Sequence, residues 1–225
     1  MSVVIGADSE PAEVEAAIAA EYNAGDYKHG WSYLYSPLPK RNAPRLVTLG
    51  LKPGGEYAED ENKERQQQLS PEESGNAYFR ELWNGDAPSP LQSQIHKLRE
   101  LHYPGISPDD IFSFNFIPFR SPTWDAFPPE SRQRAARFGT VLLDWTLARI
   151  TSETTVIGFG LSVVQDRIES WFRVVDCEDI KVGWGNISAT VCETPRCKRL
   201  ILLPHLSRYQ IIGRPEFERA DEVFA

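Results

Sequence analysis

Four short apolar runs recur along the chain and organise the rest of it. They cover residues 45–49, 111–117, 155–160 and 199–203. Each run consists mainly of bulky or β-branched residues and ends at, or next to, a Gly or Pro. Short continuous apolar runs of this kind are typical of strands that are buried on both faces. We therefore predict four buried strands at these positions.

Segments with apolar residues at helical spacing lie before and between these runs. We predict helices over 10–25, 90–103, 129–150 and 161–173, and Ser89 precedes the second of them as a favourable N-cap residue. A strand, a long crossover and another strand, repeated along the chain, predict right-handed βαβ units. The expected fold is therefore α/β: a three-layer α/β/α arrangement with a central, mainly parallel four-stranded sheet.

Two segments do not follow this alternation. Residues 26–44 are rich in aromatic residues and Pro, which favours a packed irregular segment over a linker. The connection 174–198 contains Gly183-Trp184-Gly185 and is compatible with either a short hairpin or a loop. Because the sequence contains no internal repeat and no clear linker, we predict a single domain over 1–225, with 1–44 packed on it.

The composition is that of an ordinary globular protein. Of 225 residues, 41% are hydrophobic and 25% charged, which excludes disordered, collagen-like and coiled-coil classes. No apolar run approaches the ~20 residues that a membrane helix needs, and residues 1–10 lack the pattern of a secretory signal. The three cysteines, Cys177, Cys192 and Cys197, are few and odd in number, which favours a reducing cytoplasm and argues against a disulfide scaffold.

The formal net charge is -8, with 24 Lys and Arg against 32 Asp and Glu. This balance argues against a protein that coats nucleic acid non-specifically, because phosphate binding depends on Lys and Arg. It leaves open a local basic groove, since the placement of charge matters more than its sum.

Polar and glycine-containing segments follow each predicted strand. They are Gly50-Leu51-Lys52-Pro53-Gly54 after the first, Asn115 to Arg120 at the second, Gly160 after the third, and His205-Leu206-Ser207-Arg208-Tyr209 after the fourth. The carboxyl ends of parallel strands meet at one edge of a sheet, where α/β proteins bind ligands. We therefore expect His205, Asn115, Lys52 and the glycine turn to line one cleft.

This ordered set resembles the uracil-DNA glycosylase superfamily. That family carries a Gly-x-x-Pro-Gly-type turn after its first strand, an Asn at the end of its second and a His-Pro-Ser motif after its fourth. Here 50–54, Asn115 and, in part, 205–207 match, and the resemblance covers about residues 45–210. It implies a monomeric DNA glycosylase that flips a base out of single- or double-stranded DNA and hydrolyses its N-glycosidic bond, with no cofactor or metal.

The resemblance also implies roles for individual residues. His205 would donate a hydrogen bond to the departing base, a contribution of about 3 kcal/mol when such a donor is preorganised. Asn115 could read the edge of the base, because an amide both donates and accepts. The backbone of the turn would approach the substrate closely. That substrate-binding turn comprises Gly50, Leu51, Pro53 and Gly54.

Four further residues are expected to contact DNA. Ser207, Arg208 and Arg120 would bind phosphates, and Tyr209 would fill the gap left by the flipped base.

The sequence departs from the family pattern at several positions. Lys52 occupies the place where family members carry Asp or Asn to position water, or a small residue. It would contact phosphate, pair with a carboxylate or act as an amine nucleophile. Leu206 replaces the Pro of the motif. The residue that orients water is open among Glu56, Glu59 and Asp60. The aromatic residue that stacks on the base is open among Tyr57, Tyr78 and Phe79.

Because of these departures, the sequence is compatible with more than one substrate and more than one function. The excised base is uracil or a damaged or modified base. The main alternative is a catalytically silent protein of the same fold that binds nucleic acid or a nucleotide. A different α/β hydrolase or transferase that uses the same cleft is a third candidate, because fold alone does not fix function.

Overall fold

The computed structural model describes residues 5–39, 43–54, 67–70 and 75–225. The helices are α1 Pro11–Ala24, α2 Ala77–Arg80, α3 Pro90–His102, α4 Pro129–Leu147, α5 Gln165–Phe172, α6 Leu206–Tyr209 and α7 Ala220–Phe224. The strands are β1 Trp31–Ser32, β2 Leu46–Gly50, β3 Gln67–Gln68, β4 Ile111–Asn115, β5 Thr155–Phe159, β6 Asp176–Lys181, β7 Ser188–Glu193 and β8 Arg199–Leu203.

The main sheet has six strands in the order β4-β2-β5-β8-β7-β6. The four predicted strands lie side by side in it and pair in parallel, so the α/β class and the mostly parallel sheet are confirmed. The predicted number of four strands is wrong. β6 and β7 extend the sheet as an antiparallel hairpin, formed by the 174–198 connection that the sequence left open.

Successive residues of the parallel strands belong to two different hydrophobic clusters. In β2, Leu46 belongs to one cluster, and Val47 and Leu49 belong to the other. Because side chains alternate across a strand, each face of the sheet contributes to one cluster. Buried residues of α1, α4 and α5 complete the cluster of Val47, and those of α3, α6 and α7 complete the cluster of Leu46.

The aromatic segment that precedes β2 packs along β4. The backbone N–H of Asn115 donates to the carbonyl of Tyr33, and the N–H of Tyr35 donates to the carbonyl of Ser113. The ring of Tyr27 stacks on that of Phe119, with 3.9 Å between centroids. This segment therefore covers the side of β4 that faces away from β2.

The hairpin contains a disulfide that corrects the expectation from the cysteine count. Cys177 and Cys192 stand directly opposite each other in β6 and β7 and are joined, whereas Cys197 is free and buried. The cysteine argument for a reducing compartment therefore does not hold. Among the helices of the described ranges, none is both long and apolar enough to cross a bilayer.

Candidate functional site

The loops after β2 and β4 are tied together by backbone and side-chain hydrogen bonds. The N–H of Phe116 donates to the carbonyl of Gly50. The Nζ of Lys52 donates to the carbonyl of Ser121, and the guanidinium of Arg120 donates to the carbonyl of Gly54. Lys52 and Arg120 therefore hold the two loops against each other at the carboxyl edge of the sheet.

Asn115 places an unsatisfied amide at this edge. The residue is only 3% exposed, and its Nδ2 has no hydrogen-bond partner within the described part of the chain. Gly50 is its neighbour in the register, and a Cβ on Gly50 would lie 2.4 Å from Asn115 Oδ1. A buried donor without a partner costs about 1–3 kcal/mol, and most buried polar groups avoid that cost. An amide in this state is suited to receive an acceptor from a ligand.

His205 lies just beyond the end of β8, at the start of α6. Its Nδ1 is 2.9 Å from Ser207 Oγ, and a hydroxyl that donates to Nδ1 leaves the proton on Nε2. The ring packs against Gly160, where φ is 67° and a Cβ would lie 3.0 Å from the His205 Cδ2. A side chain at position 160 would therefore displace the imidazole.

The charge of Lys52 acts on the imidazole of His205. Although His205 is exposed at the surface, burial of part of the imidazole lowers its pKa below 6.5, and the charges of Lys52 and Arg208 lower it further. Burial, followed by repulsion from Arg120, lowers the pKa of Lys52 to about 8. At pH 7 the imidazole is therefore mostly neutral and the lysine mostly charged.

A group of aromatic rings lies beside Gly50 and Asn115. Phe159 ends β5 opposite Gly50, and its ring meets that of Tyr78 edge-on at 6.5 Å between centroids. Tyr78 also stacks on Tyr35 and contacts Trp83, each at 5.1 Å. We call Tyr35, Tyr78, Trp83 and Phe159 the aromatic group.

Of the three predicted stacking candidates, only Tyr78 belongs to the aromatic group. Phe79 stacks instead on His96 of α3, with 4.8 Å between centroids, and Tyr57 lies outside the described residues. Sequence reasoning missed Tyr35, Trp83 and Phe159. The aromatic richness of 26–44 was the one signal for Tyr35, and nothing in the sequence distinguished Trp83.

The residues predicted to bind DNA lie on and beside α6, with the exception of Arg120. Arg208 is exposed, and its guanidinium lies 5.3 Å from the ring of Tyr209. Tyr209 is half-buried against the cluster of Leu46, and the Ser207 hydroxyl is engaged with His205. Leu206, which replaces the Pro of the family motif, is fully buried in the same cluster.

The remaining predicted residues belong either to the substrate-binding turn or to the candidates for orienting water. Leu51 is half-buried, Pro53 is buried and Gly54 is exposed. The three candidates for orienting water, Glu56, Glu59 and Asp60, lie outside the described residues.

One cluster of potential metal ligands occurs in the described ranges. It comprises Glu169, Cys177 and Cys192, and its two sulfur atoms are bonded to each other. A disulfide offers no thiolate, so this cluster is not a metal site in its present form.

No protein-family model matches the chain, and no curated protein matches it either.

Proposed function

We propose that the protein is a DNA glycosylase that binds a flipped-out base at the carboxyl edge of the sheet and hydrolyses its N-glycosidic bond. The observation that carries the proposal is the buried, unpartnered Nδ2 of Asn115, which lies next to Gly50 in the sheet. On the other side of Gly50 lies Phe159 of the aromatic group. An extruded base offers what these groups lack, because its edge carries hydrogen-bond acceptors and its faces stack on aromatic rings. The excised base is uracil or a damaged or modified base.

His205 has the role of stabilising the departing base in the proposed reaction. Hydrolysis breaks the bond between C1′ and the base nitrogen, and the bonding electrons leave with the base. The water oxygen bonds to C1′, and the proton that it releases balances the charge of the departing base. A neutral imidazole with its proton on Nε2 donates to the base oxygen on which that charge develops.

Lys52 has a supporting role in this proposal. Its charged ammonium at neutral pH lies close enough to His205 to lower the pKa of the imidazole, so it also favours negative charge on the departing base. Its hydrogen bonds to the carbonyls of Pro53 and Ser121 hold the substrate loops together. A nucleophilic role would require the neutral amine, which is the minor form at pH 7.

The test is base release from end-labelled oligonucleotides, single- and double-stranded. The panel carries uracil, mismatched thymine, hypoxanthine and oxidised or hydroxymethylated pyrimidines. We expect alkali-dependent strand breaks for one base and a loss of at least about a hundredfold in His205→Ala, the scale for removal of one preorganised donor. Breaks without alkali, together with borohydride trapping of a covalent complex, would reassign Lys52 as the nucleophile.

His102 provides a matched control, because it lies away from the candidate site. His102 ends α3 and packs against Phe224 of α7, away from the carboxyl edge of the sheet. His102→Gln should keep full base release. Equal losses in both variants would indicate a general effect on folding and would contradict the proposed role of His205.

The second candidate is a catalytically silent protein that binds nucleic acid or a nucleotide. The lysine at position 52 favours it, because a charged ammonium stands where the family positions water. This candidate predicts saturable oligonucleotide binding without base release on any substrate of the panel.

We also infer the finer architecture from the distribution of the helices between the two clusters. Helices on both faces of the sheet would give a three-layer α/β/α arrangement in one domain.

A further inference from the structure

The turn between β6 and β7, residues 182–187, lies at the same edge of the sheet as His205. Thr190 of β7 pairs with Leu202 of β8 in antiparallel register, so the start of β7 lies beside the end of β8. Lys181 of β6 pairs with Ser188, which places the turn at that edge. With neighbouring strands about 5 Å apart, the turn is offset from the end of β8 by roughly 5–10 Å across the sheet.

Trp184 of this turn stacks with Arg214 of the segment after α6. Trp184 is 48% exposed, and the Arg214 guanidinium lies 4.3 Å from the centroid of its ring. Arg214 Nε is anchored by a 2.8 Å hydrogen bond to the carbonyl of Gln210, the residue that ends α6. The pair is therefore linked through α6 to His205.

The turn is fixed in place by close packing. Gly183 has φ of 74°, and a Cβ there would lie 2.1 Å from the carbonyl oxygen of Glu216. Only glycine fits such an approach, so the turn and the segment after α6 form one surface. An exposed tryptophan on a fixed turn offers a stacking face at little cost in conformational entropy.

The cations of this surface are not neutralised within the described chain. Lys181, Arg208 and Arg214 form no ion pair with another described residue, whereas Arg80, Arg134 and Arg219 each pair with a carboxylate. Glu216 lies in the same segment, and it forms no ion pair with any of the three. These three cations belong to a chain whose net charge is -8, so their charge is a local property of this surface and not part of an overall basic character.

We propose that Trp184 and Arg214 bind the unpaired strand of DNA beside the candidate active site. A base next to the flipped nucleotide would stack on the open face of Trp184, and Arg214 and Arg208 would bind the phosphates on either side. The strand is unpaired because a ring face is available for stacking only when the base has left its duplex. The identity of the strand as the substrate rests on the proposed function; the binding surface itself rests on the geometry above.

The test measures binding of a fluorescent, unmodified single-stranded oligonucleotide by anisotropy. Stacking of one base on an aromatic ring accounts for roughly 5- to 150-fold in affinity. We expect Trp184→Ala to weaken binding at least about fivefold. Trp184→Phe should weaken it less, because phenylalanine keeps an aromatic ring on which a base can stack. Arg214→Gln should reduce the slope of log K against log salt by about 0.7, the value for one phosphate contact on a single strand.

A second arginine–tryptophan stack provides the matched control. The guanidinium of Arg196 lies 4.2 Å from the ring of Trp171, and Arg196 precedes β8 at the opposite edge of the sheet. Arg196→Gln should leave both the affinity and the salt slope unchanged. Equal affinities of wild type and Trp184→Ala would overturn the proposed surface.

The outcomes separate this inference from the proposed function. Oligonucleotide binding that depends on Trp184, without base release from any substrate, would support the surface and contradict the glycosylase. Base release with binding that is independent of Trp184 would contradict the surface alone. A preference for duplex over single strands that is unaffected by Trp184→Ala would also contradict it.

Discussion

Asn115 places ligand binding and stability in opposition at a single residue. Its buried Nδ2 has no partner in the described structure, so the folded protein bears the cost of a desolvated donor. Active sites commonly contain groups that destabilise the folded state in this way, and replacing such a group stabilises the fold at the expense of function.

Asn115→Leu should therefore abolish base release without lowering the free energy of unfolding. Leucine has the same number of side-chain heavy atoms as asparagine, branched at the same carbon, and it removes the unsatisfied donor. We expect the free energy of unfolding, measured by urea titration, to stay constant or rise by about 1 kcal/mol. A fall of several kcal/mol would show that the amide makes a structural hydrogen bond and would contradict its role as a free donor.

Lys52 should make the stability of the protein depend on pH in the alkaline range. Its pKa is about 8 in the folded chain, against 10.5 for a solvated lysine. Between these values the unfolded chain holds a proton that the folded chain has released, so Lys52 contributes an increase in the free energy of unfolding as pH rises from about 8 toward 10.5. Burial raises the pKa of the Cys197 thiol and of several tyrosines, and this lowers the free energy of unfolding above about pH 9. Urea titrations over this range should therefore show the Lys52 contribution as a difference between wild type and Lys52→Met.

Lys52→Met is the matched variant for this measurement, because its side chain has a similar length and no charge. The increase that Lys52 contributes between pH 8 and 10.5 should be lost in the variant. An identical pH dependence in both proteins would mean that another group is responsible.

At the scale of elements, the hairpin β6–β7 combines an exposed strand with a covalent link. Closing a loop of about 15 residues by a disulfide stabilises a protein by roughly 3 kcal/mol, and Cys177 and Cys192 are separated by 15 positions. Reduction should therefore lower the free energy of unfolding by up to this amount. Thiol titration in denaturant should find one free thiol before reduction and three afterwards.

The double variant Cys177→Ala/Cys192→Ala is the control for reduction. Its stability should be the same with and without reductant. Three free thiols in the unreduced wild type would show that the pair is not joined in solution.

The four strands that the sequence predicted share one property that the strand β6 lacks, which is burial on both faces. β2, β4, β5 and β8 are buried on both faces and appear as continuous apolar runs. β6 has the sequence Asp-Cys-Glu-Asp-Ile-Lys, in which only Ile180 is buried, so neither a continuous run nor a strict alternation marks it. Its strand conformation depends on pairing with β7, which a local pattern does not reveal.

The residues of the candidate site also differ in whether a local sequence pattern could predict them. Asn115 and His205 could be predicted to lie at one edge because each follows a buried parallel strand, and topology brings strand ends together. Tyr35 and Trp83 reach the site from segments that run alongside the sheet. Their positions depend on the docking of residues 33–35 against β4 and on the mutual contacts of the Tyr35, Tyr78 and Trp83 rings.

At the scale of the whole molecule, charge is unevenly distributed. Lys181, Arg208 and Arg214, which form no ion pair among the described residues, lie at the carboxyl edge of the sheet. At the side of the sheet, β6 exposes Asp176, Glu178 and Asp179, of which Glu178 pairs with Arg219. We expect these cations to favour the approach of a polyanion at this edge, even though the chain has a net charge of -8.

The acidic residues of β6 should also keep copies of the protein apart. β6 is an outer strand of the sheet, and an exposed outer strand can pair with another copy unless charges oppose it. Asp176→Asn/Glu178→Gln/Asp179→Asn should therefore increase self-association, measured by light scattering at neutral pH. The matched control Glu13→Gln/Glu15→Gln/Asp8→Asn removes the same charge near α1, and equal scattering by both variants would contradict a specific effect of the edge.

The position of β8 in the sheet has a consequence for synthesis on the ribosome. β8 lies between β5 and β7, yet it follows both of them in the chain. While residues 199–203 are still within the exit tunnel, β5 lacks a neighbour on one side, and the finished hairpin β6–β7 has nothing to dock against. The nascent chain therefore carries two separate pieces of one sheet until residues 199–203 emerge, and the histidine of the candidate site follows directly after the strand that joins them.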